Sequence, residues 1–290
     1  MAYQFLPGET IPEAVRRTYG EQLDRIGAHL AAAEVHEARK RIKETRALLR
    51  LVRRDLGDEY VVENTWLRDA AHSLTGARDA EAMIETLEKL RKKTEDRAIR
   101  LDIGRAKRSI RARSRRLGTQ STIAEELLSA ARTRLPLRSE IPDRFSTIGR
   151  GLSRTYAAGR RAFHRAIVSH SPTDLHTLRR RVKDHWYQVR LLSTAAPDLL
   201  DPYADTIKDL SDFLGEHHDL ILLRDSLDRV RFANLLDLAE QRRNELEGKA
   251  LALATIVFAE EARQWRDRMR AYWRVRRIEA RLARHEPQDI

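Results

Sequence analysis

The sequence predicts an all-α protein, and three of its features support this prediction. All eight prolines stand near the termini or in short breaks, which leaves residues 13–135 and 203–286 free of proline. Those stretches are rich in Ala, Leu, Glu and Arg, which favour helices, and no run alternates polar and apolar residues as a half-buried strand would. With 41% hydrophobic and 34% charged residues, the chain can fold and has a very polar surface.

Long helices separated by short turns follow from this pattern. In the first half we expect breaks at Gly57-Asp58 and at Gly76, because glycine interrupts helices more readily than most residues. Residues 136–142, which begin and end with proline, are the predicted joint between two halves. Prolines 172, 197 and 202 then mark the breaks of the second half.

The second half repeats the first at a spacing of 140 residues, and such self-similarity is typical of a duplicated unit. The segment VHEARKRIKE at residues 35–44 recurs as LHTLRRRVKD at residues 175–184, and the agreement continues without insertion for more than forty positions. Upstream, the Arg-Thr-Tyr at residues 17–19 recurs at residues 154–156. We therefore predict two helical halves, residues 1–138 and 139–290, that together form one functional domain.

An apolar stripe runs along each copy of the repeated helix. At about 100° per residue, apolar side chains three and four positions apart share one face and seek a core. In the first copy these are Val35, Ala38, Ile42, Leu49 and Val52, and in the second Leu175, Leu178, Val182, Val189 and Leu192.

A cationic ridge lies on the side of each helix opposite the stripe. The first copy presents His36, Arg39, Lys40, Lys43, Arg46 and Arg50, and the second presents His176, Arg179, Arg180, Lys183 and Arg190. Like charges three and four residues apart repel and destabilise a helix unless anions offset them. A solvated basic face is the simpler interpretation of one such cluster, and its recurrence favours an anion site.

The charge of the whole chain points to a polyanionic partner. Lys and Arg total 56 against 44 acidic residues, for a net charge of +12 and a pI near 10.2, which suits nucleic acid, an anionic membrane or polymeric phosphate. Most of the basic residues are arginine, whose planar fork grips phosphate oxygens with two hydrogen bonds. A coding bias towards arginine explains this excess equally well.

Other features bound the class of protein. The chain has no cysteine, which excludes disulfides, thiolate metal sites and a cysteine nucleophile. Its N-terminus lacks a signal-peptide pattern, and its longest apolar run, residues 250–259, is about half a membrane span. We therefore expect a cytoplasmic protein with no membrane span.

Two motifs in each half resemble those of a known family, the conserved histidine α-helical domain or CHAD. Its duplicated helix opens with His-x-x-Arg and a basic residue one turn on, as in the HEARKRIK of residues 36–43 and the HTLRRRVK of residues 176–183. A later Leu-x-x-x-Arg-Asp segment is matched by residues 74–79. At residues 214–219 the second half departs from it, because His218 replaces the arginine and leaves the role of Arg78 without a counterpart. The resemblance runs from about Ile11 to about Arg277.

The resemblance implies two pseudo-symmetric helical bundles around a basic central groove or pore that binds inorganic polyphosphate. It further implies association with polyphosphate granules, and the chain resembles the stand-alone form of the family. The expected binding residues are those of the two ridges, with Arg68 and Lys208 as second-tier candidates and Arg17 and Arg154 as weaker ones. Since the sequence shows no catalytic motif, we expect a non-catalytic protein that needs no cofactor.

Several roles stay open at this point. His36 and His176 either donate to a phosphate oxygen, cap or pack their helices, or ligate a metal, in descending order of preference. Asp79 and Asp219 suit a helix cap or an ion pair better than a metal site. The chain shows neither clustered carboxylates nor a nucleophile beside a base, as a phosphohydrolase would.

Nucleic-acid binding is the alternative function. The basic runs at residues 105–116 and 263–284 carry many arginines and few acids, although such runs are usually solvated faces. Trp265 and Trp273 suit base stacking or, more plausibly, anchoring of a helix to the core.

Overall fold

The computed structural model describes residues 3–74, 76–115, 129 and 137–282, which form ten α-helices and no strand. The predicted all-α fold is therefore confirmed. A 3₁₀ turn at Ser193–Ala195 follows the seventh helix. The helices are α1 Ile11–Ala31, α2 Val35–Leu51, α3 Arg53–Ser73, α4 Gly76–Arg91, α5 Arg97–Arg115, α6 Phe145–Ser169, α7 Pro172–Leu192, α8 Pro197–Ser226, α9 Ala233–Val257 and α10 Ala262–Leu282.

Several helices begin at capping residues that can be recognised in the sequence. Thr10 and Glu13 form a reciprocal capping box at the start of α1, which satisfies two backbone N–H groups that the helix leaves free. The Ser171 side chain caps α7, and proline occupies the first turn of α1, α7 and α8, where its missing N–H costs nothing.

The two predicted glycine breaks of the first half are present. Gly57 has φ +53° and ψ −124° inside α3, a conformation that glycine adopts without a Cβ clash, and it kinks the helix. Gly76 begins α4. In the second half Pro172 and Pro197 begin α7 and α8 as predicted. The break predicted at Pro202 is wrong, because this proline lies inside the 30-residue α8, which also continues through residue 216, the counterpart of Gly76.

The apolar stripes of α2 and α7 are buried as predicted. Nine of their ten residues are no more than 1% exposed, and Val35 packs against the core from its edge. A larger apolar cluster and a smaller one each draw residues from before position 138 and from after position 139. The two segments therefore pack together, while the duplication itself stays a prediction.

Helices α2 and α7 pack directly against each other, and this brings their basic sides together. Gln188 of α7 donates a hydrogen bond from Nε2 to the backbone oxygen of Ala47 at 3.2 Å. Helix α6 crosses α2 at Gly151, where an added Cβ would lie 2.0 Å from the Leu51 oxygen. The close approach fixes the position of α2 relative to the second half.

Candidate functional site

A cavity of about 140 Å³ lies between α2 and α7, and we call it the α2–α7 cavity. Six of its eight lining residues are basic, and each helix supplies three of them. The cations outnumber the one carboxylate by five charges. The lining residues are Lys43, Arg46, Arg50, Arg179, Arg180, Lys183, Asp184 and Tyr187.

The carboxylate of this cavity holds two arginines in place. Arg50 donates from Nη1 to Asp184 Oδ1 at 2.8 Å, and Arg181 contacts the other oxygen at 3.4 Å. Asp184 therefore neutralises part of the charge on Arg50. The cavity keeps a large excess of positive charge.

The same arrangement occurs with the two helices exchanged. Arg190 of α7 contacts Glu44 of α2 at 3.1 Å, and Arg41 contacts the other Glu44 oxygen at 2.8 Å. Glu44 is fully buried and lies 140 residues before Asp184, the spacing that also separates Arg50 from Arg190. Arg190, a predicted phosphate ligand, is therefore committed to a buried carboxylate and does not line the cavity.

Arg46 shows how crowded the cations are. Its Nε donates to Asn64 Oδ1 at 3.1 Å. Burial, followed by repulsion from Arg50 and Arg180, lowers the pKa of Arg46 to about 10. Because the group keeps its charge at neutral pH, its energy is raised by the neighbouring cations, and an anion in the cavity would lower it.

Two cavity residues were not among the sequence-based candidates. Asp184 was visible only as the repeat counterpart of Glu44, and Tyr187 carried no signal in the sequence. Burial raises the pKa of the Tyr187 phenol well above its usual range. The phenol is therefore protonated at neutral pH and can donate a hydrogen bond.

The first turns of α2 present three further predicted ligands outside the α2–α7 cavity. His36 is exposed, Arg39 donates to the Ala71 oxygen at 3.0 Å, and Lys40 contacts Glu37 at 3.4 Å. The second-tier candidates also lie outside its lining. Arg68 and Lys208 are exposed and pair with the neighbouring carboxylates of Asp69 and Asp212.

His176 packs against His218, the residue that replaces the arginine of the family motif. Their ring centroids are 4.5 Å apart. Burial, then repulsion from Arg179, lowers the pKa of both imidazoles, that of His218 to about 4. Both histidines are therefore neutral at pH 7, and neither lines the α2–α7 cavity. In the first half the side chains of Arg78 and Asp79 lie outside the described residues.

The two tryptophans considered for base stacking lie in the core. Trp265 is fully buried and Trp273 is 4% exposed, so both anchor α10 to the core. Within the described ranges, no three histidine or carboxylate side chains are grouped so that they could hold a metal ion. None of the described helices is long and apolar enough to cross a membrane.

Comparison with models of known protein families gives a match over most of the chain. The family model of the CHAD domain matches residues 17–228 of the 290-residue chain, a segment that contains α2, α7 and the cavity between them. No curated protein matches the chain. Since the match covers well over half of the sequence, the chain belongs to the CHAD domain family.

Proposed function

We propose that this protein binds inorganic polyphosphate in the α2–α7 cavity and does not hydrolyse it. The observation that carries the proposal is the facing of six cations, three from each helix, around one shared space with a single carboxylate. Membership of the CHAD family supports the choice of ligand, because CHAD domains are known to bind polyphosphate.

The geometry of the cations suits a chain of phosphates. Lys43, Arg46 and Arg50 stand on successive turns of α2, about 5.4 Å apart along the axis, and Arg179 and Lys183 do the same on α7. Phosphate groups along a polymer can therefore contact both helices in turn. Hydrogen bonds between charged partners are about twice as strong as neutral ones.

Repulsion among the crowded cations of the α2–α7 cavity favours the binding of an anion. Arg180 has no hydrogen bond or ion pair with any described residue, and Arg46 is held among like charges. A polyanion supplies counter-charges at several points at once and releases bound salt ions. Binding in this cavity therefore depends on the charge density of the polyanion, and it does not involve recognition of nucleotide bases.

The non-catalytic part of the proposal rests on the single carboxylate of the site. Asp184 is already bonded to Arg50 and Arg181, whereas metal-assisted phosphoryl transfer requires carboxylates that hold cations and orient water. Incubation with long-chain polyphosphate for hours should release no phosphate. Steady release that scales with protein concentration would contradict this part.

Competition between polymers tests the ligand. Labelled long-chain polyphosphate is bound to the protein and challenged with unlabelled polyphosphate, DNA or RNA at matched phosphate concentration and salt. We expect polyphosphate to displace the label at a concentration at least about tenfold lower than either nucleic acid, because its charges are closer together. Stronger displacement by nucleic acid would favour the alternative function.

Association with polyphosphate granules follows from the same proposal. A fluorescent fusion should co-localise with granules in cells that accumulate polyphosphate. It should stay diffuse when the cations of the α2–α7 cavity are replaced.

A further inference from the structure

A second basic cavity, of about 280 Å³, lies on the other side of the Arg50–Asp184 ion pair. We call it the Arg154 cavity. Four arginines line it against one carboxylate, which leaves an excess of three positive charges. Its lining residues are Arg50, Arg53, Tyr60, Arg154, Thr155, Ala158, Arg181 and Asp184.

Two of these arginines have no carboxylate partner among the described residues. Arg53 lies over the Tyr60 ring, with its guanidinium carbon 4.9 Å from the ring centroid. Arg154 makes no ion pair or hydrogen bond with any described residue. The other two arginines share Asp184. Arg53 and Arg154 are both exposed, and the described residues give the four arginines of this cavity a single carboxylate.

The counterpart of Arg154 in the first half is fully neutralised. Arg17, which is 137 residues earlier, pairs with Glu9 and with Glu21, the latter at 3.1 Å. At the same spacing, Ala158 stands where Glu21 would be required. The second half thus keeps the arginine and lacks the carboxylate.

The N-terminal segment also covers Arg17, the residue of the first half that corresponds to Arg154. Arg17 donates to the Gln4 oxygen at 2.9 Å, Gln4 donates to Ser193 Oγ at 2.9 Å, and the Phe5 N–H donates to the Leu191 oxygen at 2.8 Å. Ser193 is the counterpart of Arg53 at the 140-residue spacing. In the first half the paired Arg17 is partly covered by the N-terminal segment, whereas in the second half Arg154 is exposed beside an open basic cavity.

We propose that the Arg154 cavity is a separate binding site for a short inorganic oligophosphate, with Arg53, Arg154 and Arg181 as its ligands. The excess of three positive charges favours a compact anion with several negative charges, and arginine forks bind phosphate oxygens in pairs. Thr155 adds a hydroxyl donor to the wall of the cavity. Tyr60 is the aromatic residue of this lining, and it is only 8% exposed, so it offers little surface on which a nucleotide base could stack.

The experiment measures binding of inorganic triphosphate by calorimetry. We expect the wild-type protein to bind two triphosphates, one in each cavity. Lys43→Glu with Lys183→Glu should remove the first and leave the second. Addition of Arg154→Gln to that variant should weaken the remaining binding at least about tenfold, as loss of a charged hydrogen-bond donor requires.

A second variant keeps every arginine. Ala158→Glu supplies the carboxylate that Glu21 supplies to Arg17, and we expect it to weaken triphosphate binding about tenfold with helical content unchanged. Arg161→Gln, an exposed position of the same helix, is the matched control and should have no effect. ATP should bind at least about tenfold more weakly than triphosphate, because its nucleoside esterifies one terminal phosphate, which removes a charged oxygen that an arginine could bind, and stacking of the base does not offset this loss.

The outcomes separate this proposal from the proposed function. If Lys43→Glu with Lys183→Glu abolishes all triphosphate binding, the second site is refuted and polyphosphate binding stands. If long-chain polyphosphate does not bind but triphosphate binding responds to Arg154→Gln, polyphosphate binding is refuted and the second site stands. Insensitivity of a folded protein to both Arg154→Gln and Ala158→Glu, or equal affinity for ATP, would overturn the proposal.

Discussion

Arg50 of α2 and Asp184 of α7 form a 2.8 Å ion pair that is a wall of both basic cavities. The pair joins the two halves of the chain, and it places one negative charge where phosphate is proposed to bind. Asp184 is therefore expected to stabilise the fold and to compete with the ligand for Arg50.

Replacement of Asp184 tests this double role. Asp184→Asn removes the charge and keeps the shape, so polyphosphate affinity should rise about three- to tenfold, while the free energy of unfolding falls by about 1–3 kcal/mol. Fluorescence anisotropy and chemical denaturation measure the two effects. Asp102→Asn is the control, because Asp102 is similarly shielded and pairs with Arg105, and its affinity should not change. Weaker binding by a folded Asp184→Asn protein would contradict the account.

Gly151 tests the close approach of α6 to α2. A Cβ there would meet the Leu51 backbone oxygen at 2.0 Å, and backbone cannot move aside as a flexible side chain can. Gly151→Ala should therefore lower the free energy of unfolding by about 2 kcal/mol or more. Gly20→Ala, in α1, meets nothing within 4 Å and should stabilise the helix by about 0.5–1 kcal/mol. Equal effects of the two substitutions in thermal denaturation would refute the crossing.

The pH dependence of stability should come in part from His185. Burial lowers the pKa of His185 to about 3, and its Nε2 lies 3.2 Å from Tyr203 Oη. Since the unfolded chain binds the proton more readily, stability is complete above about pH 6.5 and is lost as the pH falls towards 3. The slope is at most about 1.4 kcal/mol per pH unit.

Substitution of this histidine checks the assignment. His185→Phe keeps the ring within its aromatic surroundings, and Tyr203 retains its hydrogen bond to the Val257 oxygen at 3.1 Å. Denaturation midpoints measured between pH 7 and 4.5 should fall less steeply for this variant than for the wild type. His164→Gln, at an exposed position, should reproduce the wild-type slope. A wild-type slope in the His185→Phe protein would assign the acid sensitivity elsewhere.

Salt should weaken polyphosphate binding according to the number of cations in contact. With six cations in the α2–α7 cavity, a plot of log affinity against log salt concentration should have a slope of about −4, by the relation for flexible single-stranded polyanions. A slope near zero would exclude phosphate contacts of this kind.

Local periodicity predicted the parts of the site that depend on one helix. The spacing of three and four residues put the apolar stripes inside and the ridges outside the core. The sequence alone therefore identifies Lys43, Arg46 and Arg50 as neighbours on one face of α2. The glycine at residue 57 likewise indicated a break from its chemistry alone.

Other parts of the site depend on which helix faces which, and the sequence does not encode this locally. A helical wheel treats Arg190 like Arg50, and each contacts a carboxylate of the facing helix. Only Arg50 lines the α2–α7 cavity, because Asp184 reaches its wall whereas Glu44 is fully buried. The N-terminal segment folds over the surroundings of Arg17, whereas no segment among the described residues covers Arg154 in the same way, and this difference leaves the Arg154 cavity open. The packing of His218 on His176 also follows from tertiary structure.

Binding of long-chain polyphosphate to a charge-reversal pair tests the central claim most directly. Lys43→Glu with Lys183→Glu places two acids in the α2–α7 cavity, whereas Lys89→Glu with Lys249→Glu changes the net charge equally at exposed positions outside it. The account predicts at least about a hundredfold loss of affinity in the cavity variant, with unchanged helical content, and less than about a threefold loss in the control. Equal losses in the two folded variants would contradict it.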